Sequence, residues 1–405
     1  MMRRVLLAGG AGAAAGAVTA VVFLAMERLT DLVSGTAHDA PSPVRILLTI
    51  LLGGVLIAAL RRAEARFAPG EPSDGGLADQ IAAAADPTPA HARQALYIGA
   101  IAVVSVGFGG ALGPEAGLVA VATELSAIVA AFLARDAAER RMIGAAGAAG
   151  ALGGFYASPP GGALVAGDPQ EGERLPRTLV FLAAVAGLFG FLLTLHLMPG
   201  EGGGVVVALP DYQPARDGRD MVASVIPALL GGAAGLGFVG LLPHVQALLS
   251  RLGGQTVQEL AGTAGFAVLA ALWPALRFSG HHELLGKLDW GAAAGPLPLL
   301  ALAALKVLAL CLCLAAGWRG GANFLLLFVG AAVGAAVTLV LPMGSSPTVA
   351  LLAAMMAAAT VGMGKPVAAV LIVAFLASPT TVGALSVGAL VGFGLARLGP
   401  PPRLH

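Results

Sequence analysis

The chain has 405 residues, 58% of them hydrophobic and only 11% charged, and its mean hydropathy is +0.88. An average soluble domain carries about 25% charged residues, so water is excluded as the solvent for this much apolar surface and a lipid bilayer is expected. A formal net charge of +1, with no basic run interleaved with aromatics, gives no footing for a nucleic-acid partner.

In chain order, apolar segments are predicted at 5–26, 45–60, 95–112, 117–134, 142–166, 178–198, 221–249, 260–276, 291–316, 322–341, 347–362, 366–377 and 381–397. The first, preceded by Arg3 and Arg4, has the composition of a secretory signal. It is nevertheless long enough to span and is followed by further spans, so we expect an uncleaved membrane helix with its basic end in the cytoplasm. Several later segments fall short of the roughly 20 apolar residues of a straight span or are interrupted by Gly and Pro. Such segments predict broken or re-entrant helices, tolerated where their backbone is buried in protein. The 58 glycines suit helices that must approach closely. The polar excursions 61–93, 167–177 and 199–220 are short, so no soluble regulatory domain is expected. Trp273, Trp290 and Trp318 read as interface anchors.

Two Gly-rich entries into apolar helices stand out, GFGGALGPEAGLVAVATE at 107–124 and GWRGGANFLLLFVGAAVG at 317–334. Each is followed by an Ala/Gly helix and a Pro-marked break. Gly113 and Pro160 are 47 positions apart, and Gly321 and Pro366 are 45 apart. Matched broken segments in two halves point to an inverted repeat with its site where the breaks meet. The approximate repeats are 45–200 and 221–397 of a single transmembrane domain.

Glu115 is the sharpest feature. It is an ionisable side chain flanked by apolar sequence, which at membrane depth marks an ion pathway or proton relay. Pro114 suits the first turn of a helix, so Glu115 is placed near a helix N-terminus, where backbone N–H groups and the dipole favour anions. The competing reading is a capping carboxylate at the membrane surface. Lys306, inside LALAALKVLALCLCLAAG, has two readings as well: it lends positive potential to an anion path, or it snorkels to the interface. Cys311 and Cys313, two apart on a helix, face different ways. The pair His281 and His282 before Glu283 lacks a third partner at ligand spacing, so neither metal nor cofactor is expected. His196 and His244 are isolated, and no GxSG or HExxH pattern occurs, so the chain is not expected to be an enzyme.

LGPEAGLVAVATE resembles the segment of the CLC chloride channels and transporters that carries the gating glutamate, with Glu115 on that position. RRMIGAAGAAGALGGFYASPPGGALVAGD, the Lys306 helix running into GWRGGANF, and AATVGMGKPVAAVLIVAFL resemble the family's later helix pairs in order and at near-constant spacing. DGGLAD at 74–79 lies where the family has an anion-binding loop. The resemblance implies an all-α membrane protein, a CLC-like inverted repeat of two halves with broken and re-entrant helices. It further implies a homodimer, multi-pass in a cell (plasma) membrane, moving chloride or another small anion with protons as a second cargo. It places the gate at Glu115 and a proton-path acid at Asp168, for which an ordinary loop Asp before Pro169 is the rival. Anion contacts are implied at Gly75, Gly76, Gly113, Ala116, Gly321, Ala322, Asn323 and Thr380. The match is inexact. The family's serine falls on Gly75, its signature Phe and Pro on Asn323 and Leu325, and its inner tyrosine near Thr380. Backbone N–H groups at Gly321, Ala322 and Asn323 are indifferent to those changes, and Thr380 or Thr381 offers a replacement hydroxyl. A fluoride/proton exchanger of the same fold and a non-transporting CLC-like scaffold are the alternatives.

Overall fold

The computed structural model describes residues 1–34, 42–68, 89–166, 177–198, 212–215, 217–280, 293–341, 346–376 and 381–398. Among these there are fourteen α-helices and no strand. The first seven are α1 (Met2–Ser34), α2 (Pro43–Phe67), α3 (Pro89–Gly107), α4 (Glu115–Leu133), α5 (Ala137–Phe155), α6 (Pro159–Ala166) and α7 (Arg177–Leu197). The second seven are α8 (Arg219–Ser250), α9 (Gln255–Leu272), α10 (Pro296–Ala315), α11 (Asn323–Val340), α12 (Pro347–Met363), α13 (Pro366–Leu376) and α14 (Val382–Leu398). Seven of the fourteen are long and apolar enough to cross a membrane by length and composition.

The two sets of seven pack alike. Helix α1 lies on α4, α5 and α7, and α8 lies on α11, α12 and α14; α2 meets α3 as α9 meets α10. The halves touch through α2 and α9 and through the short helices α6 and α13. Small residues permit this closeness, since helices in lipid gain nothing from hydrophobic contact with one another. A methyl added at Gly12 of α1 would lie 2.2 Å from the Ala186 carbonyl oxygen of α7, and one added at Gly190 of α7 would lie 2.2 Å from the Gly150 oxygen of α5. In the second half Gly231 of α8 stands 2.3 Å from the Ala354 oxygen by the same measure. The outward faces carry bulky apolar chains instead: on α2, Val44, Leu48, Leu52 and Val55 are all more than half exposed, one lipid-facing stripe at helical spacing.

The Pro-marked break expected inside the apolar segment 142–166 is present, and the segment is two helices. Helix α5 ends at Phe155, Ala157 takes a left-handed φ of +50°, and Ser158 then caps α6 by accepting the Gly161 N–H on its Oγ. The Ser158 hydroxyl also donates to the Leu371 carbonyl of α13 at 3.1 Å, and Lys365 donates to the Val165 carbonyl at the far end of α6. The breaks of the two halves are thereby tied together.

Three expectations are corrected. Trp318 is no interface anchor: it is 1% exposed, and its Nε1–H donates to Thr263 Oγ1 at 2.9 Å. Lys306 does not snorkel. It is fully buried, and its Nζ donates to the carbonyls of Ala275, Arg277 and Phe278, closing the chain that follows the 3-10 turn Pro274–Leu276. The excursion placed at 61–93 begins later, because α2 runs to Phe67. Its last turns are held inside by ion pairs, Arg61 with Glu259 at 2.8 Å and Glu64 with Arg319 at 3.3 Å. Trp273 is 38% exposed; Trp290 and His281–Glu283 lie outside the described residues.

Candidate anion site

Two loops meet where the halves face each other. The first, between α3 and α4, runs from Phe108 to Pro114; the second, between α10 and α11, runs from Ala316 to Ala322. They are joined by an antiparallel bridge of two backbone hydrogen bonds, Gly113 N–H to Gly321 O and Gly321 N–H to Gly113 O, each 2.7 Å. The bridge brings the N-termini of α4 and α11 together. Their unsatisfied N–H groups and aligned peptide dipoles make the junction electropositive without any side-chain charge.

Glu115 is the first residue of α4 and is 0% exposed. Its Oε1 accepts the Phe324 N–H from the first turn of α11 at 3.4 Å, so a carboxylate of the first half is held by the helix end of the second. Its Oε2 makes no hydrogen bond among the described residues. The two bridge glycines form the walls of the cradle. A methyl at Gly113 would fall 1.9 Å from Glu115 Oε2, and one at Gly321 would fall 2.3 Å from the same atom. Only glycine at both positions leaves room for the carboxylate, which gives the GG and GP spellings of the two loops a steric reason.

Of the positions expected to form the site, Gly113, Glu115, Ala116, Gly321, Ala322 and Asn323 are gathered at this junction. Gly75, Gly76, Asp168 and Thr380 lie outside the described residues. Thr381, at the entry to α14, is buried. Lys306 is not a member of the cradle, its ammonium being committed to the three carbonyls named above.

Tyr156 is the residue that sequence reasoning passed over. It caps the C-terminus of α5, is 1% exposed, and its hydroxyl accepts the Asn323 Nδ2–H at 2.9 Å. Phe155, Tyr156 and Phe324 pack ring on ring with centroids 5.3 to 5.6 Å apart, and Phe23 of α1 closes the cluster. A tyrosine between apolar residues and an ASPP break reads as filler; only the fold shows that the break faces the N-terminus of α11.

A polytopic helical membrane protein, with two halves whose broken helices direct their N-termini at one buried carboxylate, is the class that fold and site define. Residues 53–397 match the family model for the voltage gated chloride channel, and the chain belongs to that family. Among curated relatives, proteins called YfeO and named for ion transport are 27% identical: that of Salmonella schwarzengrund over 74% of this chain and 70% of its own length, and that of Shigella sonnei over 74% and 69%. Among solved structures, a slow cyanobacterial Cl⁻/H⁺ antiporter superposes with a TM-score of 0.81 at 19% identity, covering 99% of this chain and 96% of its own. A CLC-type fluoride/proton antiporter superposes with a TM-score of 0.79 at 16% identity, covering 100% and 97%. These likenesses bear out the fold read from the motifs.

Proposed function

We propose that the protein carries small anions of the chloride type across a cell membrane, with Glu115 as the gate. The observation that carries this reading is a fully buried carboxylate gripped by a backbone N–H of the opposite half, between two glycines that leave room for nothing larger. A carboxylate oxygen and a halide ask for the same thing, a ring of N–H donors at a helix end. In this reading the Glu115 oxygens stand in for a transported anion. Charge on Glu115 keeps it seated; a proton on Glu115 removes the reason for the helix ends to hold it, and an anion takes the vacated place.

The same step supplies a coupling to protons, since the side chain that gives up the seat has taken a proton to do so. Proton antiport is part of the proposal, and Asp168 is the acid proposed for the other end of the proton path. The proton antiport for which the two solved proteins of like fold are named supports it by analogy. The anion contacts are proposed at the backbone of Gly113, Ala116, Gly321, Ala322 and Asn323, with Gly75, Gly76 and Thr380 completing the route. A homodimer is proposed from the family, and a transporter rather than an enzyme. The repeat units, placed at 45–200 and 221–397 in the sequence, are proposed to take in α1, because α1 packs as α8 does. One solved neighbour moves fluoride, so fluoride is the second reading of the substrate.

The test is flux from liposomes containing the purified protein, with chloride, nitrate and fluoride compared and external pH recorded at the same time. Glu115→Gln is expected to keep anion flux and abolish proton movement. Full proton movement in that variant overturns the role of Glu115, fluoride-only flux selects the second reading, and no flux of any anion leaves a scaffold.

A further inference from the structure

We infer that the groove between α1 and α2 is a binding site for an acidic phospholipid of the outer leaflet, with its phosphate on Arg45 and one acyl chain laid over Leu48 and Leu52 towards Phe108. This goes beyond the transport reading and does not depend on it.

The groove has a volume of about 530 Å³, within the range of roughly 300–1,000 Å³ usual for small-molecule sites. Val33 near the end of α1, with Ser42 and Arg45 at the start of α2, lines one end; Leu48 and Leu52 line its length, and Phe108 closes it. Ser42 to Leu52 is about 15 Å of helix. Helix α1 has 33 residues, about 50 Å at the usual rise. With Arg3 and Arg4 at the cytoplasmic face, its far end and the start of α2 reach the outer face. Arg45 is then at headgroup depth, and the groove descends from it into hydrocarbon.

The two ends differ in chemistry. Leu48 and Leu52 are more than half exposed and meet lipid. An acyl chain gains little by exchanging the bilayer for such a wall, since both are hydrocarbon. Any preference among lipids must therefore arise at the headgroup. Arg45 there is exposed and pairs with no carboxylate among the described residues. Of its five guanidinium N–H donors one is used, Nη2–H to the Val33 carbonyl at 3.4 Å, while its backbone N–H goes to Ser42 Oγ. A guanidinium held by one edge and left with donors to spare suits the forked grip of a phosphate. Its charge favours a headgroup of net negative charge over a zwitterionic one.

Phe108 ties the groove to the Glu115 cradle. It opens the loop that ends at Gly113 and Pro114, is 7% exposed, and lies so close to α2 that a methyl at Gly53 would fall 2.7 Å from its Cβ. A chain seated in the groove abuts that loop and steadies one wall of the cradle.

For the test, detergent-solubilised protein is mixed with equal amounts of phosphatidylglycerol and phosphatidylcholine of the same acyl chains, and bound lipid is counted by native mass spectrometry. The first adduct is expected to favour phosphatidylglycerol. Arg45→Gln is expected to reduce that preference about fivefold, the worth of one arginine beside a charged headgroup. Arg251→Gln, at an exposed arginine that follows α8, is expected to leave it unchanged. Leu52→Trp, which fills the groove and keeps Arg45, is expected to weaken the first adduct of both lipids. In phosphatidylcholine vesicles, added phosphatidylglycerol is expected to raise anion flux more in the wild type than in Arg45→Gln. The site is overturned by a first adduct without preference, by a preference undiminished in Arg45→Gln or equally lost in Arg251→Gln, or by wild-type binding of both lipids in Leu52→Trp. An equal flux response in wild type and Arg45→Gln overturns the link to the cradle. Absence of flux from every protein tells against the transport reading and leaves the binding result intact.

Discussion

Gly321→Ala offers the sharpest perturbation of the cradle, because it adds one methyl and no charge. The new Cβ would lie 2.3 Å from Glu115 Oε2 and 2.6 Å from Cδ, where ordinary contact begins at 3.4 Å. The carboxylate must therefore retreat by more than an ångström, which breaks its 3.4 Å bond to the Phe324 N–H. Overpacking a filled interior by a methylene costs about 1–3 kcal/mol, so the seated state falls in population by about 5- to 150-fold. In the flux assay Gly321→Ala is expected to behave as Glu115→Ala does, with anion flux freed from the gate and proton movement lost. Adding Gly321→Ala to Glu115→Ala is expected to change nothing further, because both act through one side chain. A Gly321→Ala protein with the wild-type ratio of protons to anions, or one whose effect adds fully to that of Glu115→Ala, refutes the reasoning.

Other outcomes follow from the surrounding packing. Lys306→Met is expected to destabilise the fold by about 1–3 kcal/mol for each carbonyl of Ala275, Arg277 and Phe278 left without a donor, read as a lower thermal midpoint in detergent. Anion selectivity of the surviving folded protein is expected to be unchanged, because the ammonium is a strut and not a pore charge. Glu64→Ala removes one of the carboxylates that face Arg319, Glu259 being the other, and is expected to cost less than the roughly 3–5 kcal/mol of a fully orphaned buried charge, read as loss of folded yield and a lower melting temperature. Tyr212, in the stretch before α8, donates to Asp220 at 2.6 Å; burial, then the bond to Asp220 and its charge, pushes its pKa up to about 12. The folded value is above the unfolded value of about 10. The stabilisation is therefore complete below that pH and disappears as pH rises through 12, and Tyr212→Phe is expected to flatten the melting-temperature profile across that window.

Much of the fold was legible because bilayer solvation writes directly into composition. Thirteen apolar runs map onto the fourteen helices of the described residues, the difference being the split at the Pro-marked break after Phe155; the prolines announce that break, but not the left-handed φ of Ala157 that makes the turn. Glu115 and the GG and GP loops were visible too, since a lone acid in an apolar run needs a physical reason and paired glycines need a close approach. The rest depended on contacts between residues far apart in the chain. That Tyr156 meets Asn323 is a fact about how α5 and α11 are aimed, 167 positions apart. The same holds for Lys306, whose three carbonyl partners lie 28 to 31 residues upstream. Position in an apolar helix is equally compatible with a pore charge, a snorkelling tip and an internal strut. Trp318 was misread for a related cause: amphipathic rings favour interfaces, but a hydroxyl inside the bundle, on Thr263, serves the indole N–H as well.

The central claim is that the Glu115 carboxylate sits where a transported anion would sit. The most direct measurement is a structure of Glu115→Ala in bromide, located by its anomalous scattering. The account predicts bromide between Gly113 and Gly321, within hydrogen-bonding reach of the Phe324 N–H. Bromide bound elsewhere in the protein, with that cradle filled by water or collapsed, contradicts it.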